Sequence, residues 1–161
     1  MTGSLFFKIA IGLFIFLVAI TYQFGKLKKL APSLDDFKKT TDISGAYSYQ
    51  KFGKNYETQV DGKYIYCGVN YSGGVGSCIV HLKEVPPNSQ VTVTVASIKT
   101  NGGDVLCASS IKFEGREIYR KSPEKIFSDW WFTSRLHVTI IPMLLVAIYL
   151  VIIFVFFTER G

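Results

Sequence analysis

The sequence predicts a membrane protein with a mainly β soluble part: two transmembrane helices flanking a small antiparallel β sandwich or partly open barrel. Three features carry this expectation. Hydrophobic residues, 48% of the chain, concentrate at its two ends. Between the ends run short segments rich in Tyr, Val, Ile and Thr, divided by glycine turns. The clustered cations sit beside the apolar ends.

The first end, residues 1–24, contains LFFKIAIGLFIFLVAITYQF from Leu5 to Phe24, about the 20 residues that cross a hydrocarbon core at about 1.5 Å per residue. Lys8 interrupts it near one end, where a long side chain snorkels to the interface. The same stretch also suits a cleaved signal peptide, with Lys8 in a basic leader and Ala19 and Thr21 before the cut, so both readings stay open. The other end is the cleaner span. Residues 136–157 read LHVTIIPMLLVAIYLVIIFVFF, with no readily ionised side chain from Val138 onward. Residues 158–161 form a short tail.

Residues 25–43 read as a basic juxtamembrane connector. Lys26, Lys28 and Lys29 stand where membrane proteins place cations against headgroups. Pro32-Ser33-Leu34-Asp35-Asp36-Phe37 then predicts a short helix. Ser33 is its N-cap, the aspartates fill the first turn, and Lys38 and Lys39 close it, each charge favouring the helix dipole. Leu34 and Phe37 are expected to face inward together.

Residues 44–121 form the β domain. VTVTV at 91–95 alternates with period two, and in VLCASSIKF at 105–113 the residues Val105, Cys107, Ile111 and Phe113 share one face. Asn101-Gly102-Gly103 between them signals a hairpin, because Asn and Gly accept positive φ. FGKNY at 52–56, DGKYIY at 61–66 and EGREIY at 114–119 read as three further tight turns. Strands are expected near 45–51, 55–60, 63–70, 77–84, 90–99, 104–113 and 116–120. Ser122-Pro123-Glu124 then starts an interfacial amphipathic helix over 122–135, in which Trp130, Trp131 and Arg135 anchor the chain at the membrane surface.

Little of this spells catalysis. Ser72-Gly73-Gly74-Val75-Gly76-Ser77 is glycine-rich but lacks the Gly-Lys-Ser/Thr ending and following helix of a phosphate loop. Cys78 and His81 are three apart, which places them on opposite faces of a strand. Two histidines and three scattered cysteines do not make a zinc set. The carboxylates fall in turns and at strand ends without an acid and base pair. No enzyme activity, cofactor or metal is therefore expected. The net charge of +6 has no recognition helix or RNA-binding signature beside it, so nucleic acid is not an expected partner.

The expected partners are the lipid bilayer and a protein, or a second copy, within the membrane. The chain reads as a multi-pass protein of the cell (inner) membrane presenting its β domain as a non-enzymatic interaction or regulatory module. The tyrosines of the third strand, Tyr64, Tyr66 and Tyr71, are its expected contact surface. The alternative is a sensor of a ligand or of anionic headgroups, using the loop at 72–77 with the juxtamembrane lysines. About nine or ten cations flank the spans on the domain side against about two on the tail side, which by the charge rule places the β domain in the cytoplasm. An extracytoplasmic domain would instead allow a disulfide between Cys67 and Cys78, which flank a hairpin.

Overall fold

Short-range chemistry sets the entry to the β domain. Ser33 caps helix α2 (Leu34–Lys38) in a reciprocal capping box: the Asp36 amide donates to Ser33 Oγ at 3.3 Å, while the Ser33 amide and hydroxyl each donate to Asp36 Oδ2 at 2.8 Å. Those donors, the backbone amide first, hold the Asp36 carboxyl below its ordinary value of 3.8. The computed structural model describes residues 2–53 and 55–158 and divides into two units: Leu30–Thr133, and the helical stretches up to Lys29 and from Ser134. Of the expected tail, 159–161 lie outside the described residues, as does Lys54 in the first glycine turn.

Seven strands follow α2: β1 (Thr40–Phe52), β2 (Asn55–Val60), β3 (Lys63–Asn70), β4 (Gly73–Ser77), β5 (Gln90–Thr100), β6 (Gly103–Phe113) and β7 (Arg116–Arg120). They form one mainly antiparallel sheet in the order β4-β3-β2-β1-β5-β6-β7. The long β1 serves two neighbours, pairing with β5 through Ala46 and with β2 from Tyr47 onward. One further pairing, parallel, joins Ile65 and Tyr66 of β3 to Leu106 and Cys107 of β6.

Turn chemistry explains the hairpins. Asp61 and Gly62 between β2 and β3, and Glu114 and Gly115 between β6 and β7, all hold positive φ, as a two-residue turn of type I′ requires. At the β5–β6 turn it is Gly103, within the Asn101-Gly102-Gly103 signal, that adopts positive φ, at 112°, while Thr100 Oγ1 closes the turn by accepting from the Gly102 amide and donating to Gly103 O.

Helix α1 (Thr2–Leu30) runs unbroken through the basic strip. Two expectations need correction. The strand expected at 77–84 is instead the end of β4, a single 3₁₀ turn (Cys78–Val80) and further turns. Cys78, Leu82 and Val85 are buried there at spacings of four and three, which is helical rather than strand period. Finally, Cys107 does not share a face with Ile111. Thr94 pairs with Ser110 and Val95 with Ala108, so Ser109 is a bulge that reverses the alternation. Ala108 and Ile111 join the main core with Val91, Val93 and Val95, and Cys107 does not.

The bulge leaves β5 and β6 buried on both faces. Val91, Val93 and Val95 point into the core cluster with Tyr47, Val60 and Ile65, while Ala96, Ile98 and Cys107 are buried outside it. On that side α2 packs against β5, and the first turns of α3 (Pro123–Thr158) bury Ile126 and Trp130. Phe37 is fully buried and meets Phe127 edge-on, with ring centres 5.9 Å apart.

In the other unit, α1 and the later part of α3 carry their apolar side chains outward: Phe14 is 67% exposed and Leu145 63%. Thr21 and Thr139 donate back to Leu17 O and Arg135 O, satisfying their hydroxyls within the helix. Gly12 lies against the Tyr149 ring, where any side chain on α1 would collide.

Phe37→Ala is expected to lower the unfolding free energy of the full chain in detergent by about 3–5 kcal/mol, as for other large-to-small changes of a buried ring. Ser33→Ala should cost about 1 kcal/mol. Because the Asp36 pKa is lowered in the folded state, the cap's contribution is complete above 3.8 and disappears as pH falls through the lowered value. Denaturant unfolding followed by tryptophan fluorescence, at neutral and acid pH, checks all three, and a Phe37→Ala cost no larger than that of Ser33→Ala would show that α2 is not an anchor.

Candidate functional site

Strand β3 alternates in burial from end to end. Ile65, Cys67 and Val69 point inward, so Tyr64 and Tyr66 share the outward face. Tyr64 lies opposite Gln59 of β2 and is 41% exposed. Tyr66 is half-buried. Its ring lies over Gly74 of β4, where a Cβ would strike the ring, and its hydroxyl reaches Glu57 Oε1 at 3.5 Å. Burial first, and the Glu57 charge second, raise the Tyr66 pKa above its ordinary value. The result is a surface of two tyrosines with Glu57 and Gln59, the Tyr66 ring being held in place by a glycine neighbour.

Tyr71, the third expected contact, does not join them. It has the parity of Ile65, Cys67 and Val69 and is only 6% exposed, so its ring is not available to a partner. Its carbonyl accepts instead from the Asn101 amide at 2.9 Å, tying the β3–β4 turn to the β5–β6 turn. A second exposed pair went unpredicted: Tyr49 and Tyr56 meet edge-on at 5.9 Å, with Lys51 Nζ 5.8 Å from the Tyr56 ring. The register that sets Lys51 opposite Tyr56 brings them together, and a strand-by-strand reading does not supply register.

The glycine-rich stretch is not an open cradle. Gly73–Ser77 forms β4, paired to β3 from Tyr66 to Asn70, and Asn70 Oδ1 closes the turn by accepting from the amides of Ser72 and Gly73. Cys67 and Cys78 are joined by a disulfide with Cα atoms 5.0 Å apart, and both are buried. His81 packs on the Tyr119 ring, with ring centres 4.4 Å apart. A groove of about 530 Å³ opens beside it, lined by Lys83, Glu84, Phe113 and Arg116 among others. The Tyr119 hydroxyl donates to Cys67 O at 3.2 Å.

The residues expected as interface anchors also divide. Lys28 and Lys29 are exposed in the last turn of α1, where cations favour the dipole, and Lys26 Nζ lies 4.8 Å from the Tyr22 ring. Arg135 is exposed on α3. Trp131 is half-buried and sits edge-on to Trp130 at 5.2 Å. Trp130 itself is fully buried, so it is a core residue rather than an interface anchor, and its Nε1 has no acceptor among the described residues. Asp129 grips Lys121 at 2.7 Å and Lys125 at 3.0 Å, fastening the start of α3 to the end of β7.

No family model, no curated protein and no solved structure matches this chain, so geometry alone carries the functional reading.

Burial drives the pKa of Cys107 from 9.0 to about 12 and that of Tyr119 from 10.0 to about 12. Both groups stay protonated longer in the folded chain than in the unfolded one. Their contribution to stability is therefore complete below pH 9 and is lost as pH rises towards 12. The thermal midpoint of the wild type is expected to fall across that range, and Cys107→Ala should flatten the decline; an unchanged slope in Cys107→Ala would mean the thiol is not desolvated.

Proposed function

We propose that this chain is a two-pass integral membrane protein whose β unit is a non-enzymatic interaction or regulatory module of a membrane complex. The observation that carries the reading is the outward apolar surface of both long helices. Their candidate spans, Ile9–Leu30 and Pro123–Ile152, have mean hydropathies of 1.8 and 2.1, with 0% and 6% of their most apolar windows buried. A core helix of a soluble protein hides such a surface, and here only lipid would cover it. A signal peptide is an alternative for the first helix alone.

The finer architecture we favour is a partly open barrel. The β3–β6 pairing returns the sheet upon itself through β3-β2-β1-β5-β6, which supports a curled five-strand ring with β4 and β7 as additions. The interaction surface is the outer face of β2 and β3, where Tyr64 and Tyr66 give rigid, amphipathic contact area. The titratable groups displaced from their ordinary values there and in the core have structural causes. Asp36 serves a helix cap and Cys107 is a buried thiol rather than a nucleophilic thiolate, which favours binding over catalysis.

Two measurements test this. The protein should remain with membranes through an alkaline carbonate wash, and release into the supernatant would end the reading. Tyr64→Ala should weaken co-purification of the partner about tenfold or more, as a truncated aromatic hot spot does, with the unfolding midpoint unchanged. Tyr71→Ala should instead lower stability by about 3–5 kcal/mol. Equal capture by Tyr64→Ala would remove the β3 face from the proposal.

A further inference from the structure

We infer that the β unit faces an oxidising compartment, in which Cys67 and Cys78 are oxidised by a protein disulfide of that compartment. This is the side opposite to the one the charge rule selects. The inference rests on the reading that α3 spans the bilayer.

The two cysteines are brought together where the sheet meets the turn after it. In the antiparallel β3–β4 hairpin Tyr66 lies opposite Ser77, which places Cys67 on β3 opposite Gly76, and Cys78 leaves the end of β4 on a 3₁₀ turn that carries it into the core beside Cys67. Their Cα atoms end 5.0 Å apart, within the span a disulfide bridges. Cys67 is 9% exposed and Cys78 fully buried, so the bond is part of the core rather than an exposed, exchangeable contact. His81, three residues from Cys78, stacks on Tyr119, and among the described residues no group of His, Cys, Asp or Glu could hold a metal ion. Cys107 is the buried free thiol left over. Core disulfides of this kind form and persist where thiols are not kept reduced. In the step itself, the two thiols give two electrons to the oxidant's disulfide through a mixed disulfide; their protons pass to the oxidant, which leaves as a dithiol.

The cations that argue for the cytoplasm have work in the fold. Lys121 and Lys125 hold Asp129, Arg120 pairs with Glu117, and Lys38 pairs with Asp35. Such pairs form on whichever side the domain folds. The connecting unit, Leu30–Thr133, also exceeds the roughly 60 residues beyond which loops cross largely regardless of charge.

The test counts thiols in the full chain in its own membranes. Cells are quenched in acid, the denatured protein is blocked with N-ethylmaleimide, reduced, and labelled with a maleimide-polyethylene glycol. Two labels per chain are expected, with none in Cys67→Ser, and a fluorescent protein that matures only in the cytosol should be bright when fused after Gly161. No label on the wild type, a disulfide-linked dimer on a non-reducing gel, or a dark fluorescent fusion beside an active phosphatase fusion would each overturn the inference. Release by carbonate would instead sink the membrane span while leaving the thiol count readable.

Discussion

The contact between Phe37 and Phe127 holds the entry and the exit of the β unit together. Phe37 arrives on a single turn of helix and Phe127 leaves at the start of a long one, yet their rings meet at 5.9 Å. The sheet depends on that closure. Thr40 enters β1 beside Ala96 directly after α2, which lies on β5, and Lys121 and Ser122 pass the chain from the end of β7 into α3. Lys121 does so twice, donating its amide to Ser109 O and its ammonium to Asp129. Bringing the ends of so long a segment together costs chain entropy, and the buried apolar area at the junction offsets it.

Where local rules suffice, the sequence was readable. Ser33 with Asp36, Asp61-Gly62 and Glu114-Gly115 each needed only neighbours to declare a cap or a turn, and each stands as expected. Six of the seven strands lie close to their expected positions, because period-two alternation is a short-range signal. The failures begin where a distant partner decides. Nothing in VLCASSIKF marks Ser109 as a bulge; its carbonyl is drawn to the Lys121 amide and its hydroxyl to Thr94 O, and both partners lie outside the stretch. Likewise IVHLKEV, residues 79–85, has strand composition. The burial of Cys78, Leu82 and Val85 at helical spacing and the disulfide from Cys78 to Cys67 override that composition.

The surface tyrosines show the same division. Parity along one strand was enough to separate Tyr71 from Tyr64 and Tyr66, and it had been available in the sequence throughout. Register between strands was not, so the Tyr49 and Tyr56 pair could not be foreseen. Nor could the seat of Tyr66 over Gly74, which depends on β4 folding back tightly at Asn70. A glycine-rich stretch that resembles a loop in composition is here the strand that leaves room for an aromatic ring.

Trp130 carries the sharpest lesson, because two physical rules competed for it. Tryptophans beside an apolar span belong to the membrane interface by composition, and that argument treated Trp130 and Trp131 alike. Helical spacing separates them. Ile126, Trp130, Ser134 and Val138 follow one another at intervals of four and all are buried, whereas Phe132 is exposed and Trp131 only half-covered. The stripe begins before the apolar run and continues into it along one unbroken helix. An indole on that stripe adds a large apolar surface to the protein interior, and its Nε1 meets no acceptor among the described residues. The position of a residue around the helix, rather than its distance from the membrane, therefore decides which of the two rules applies.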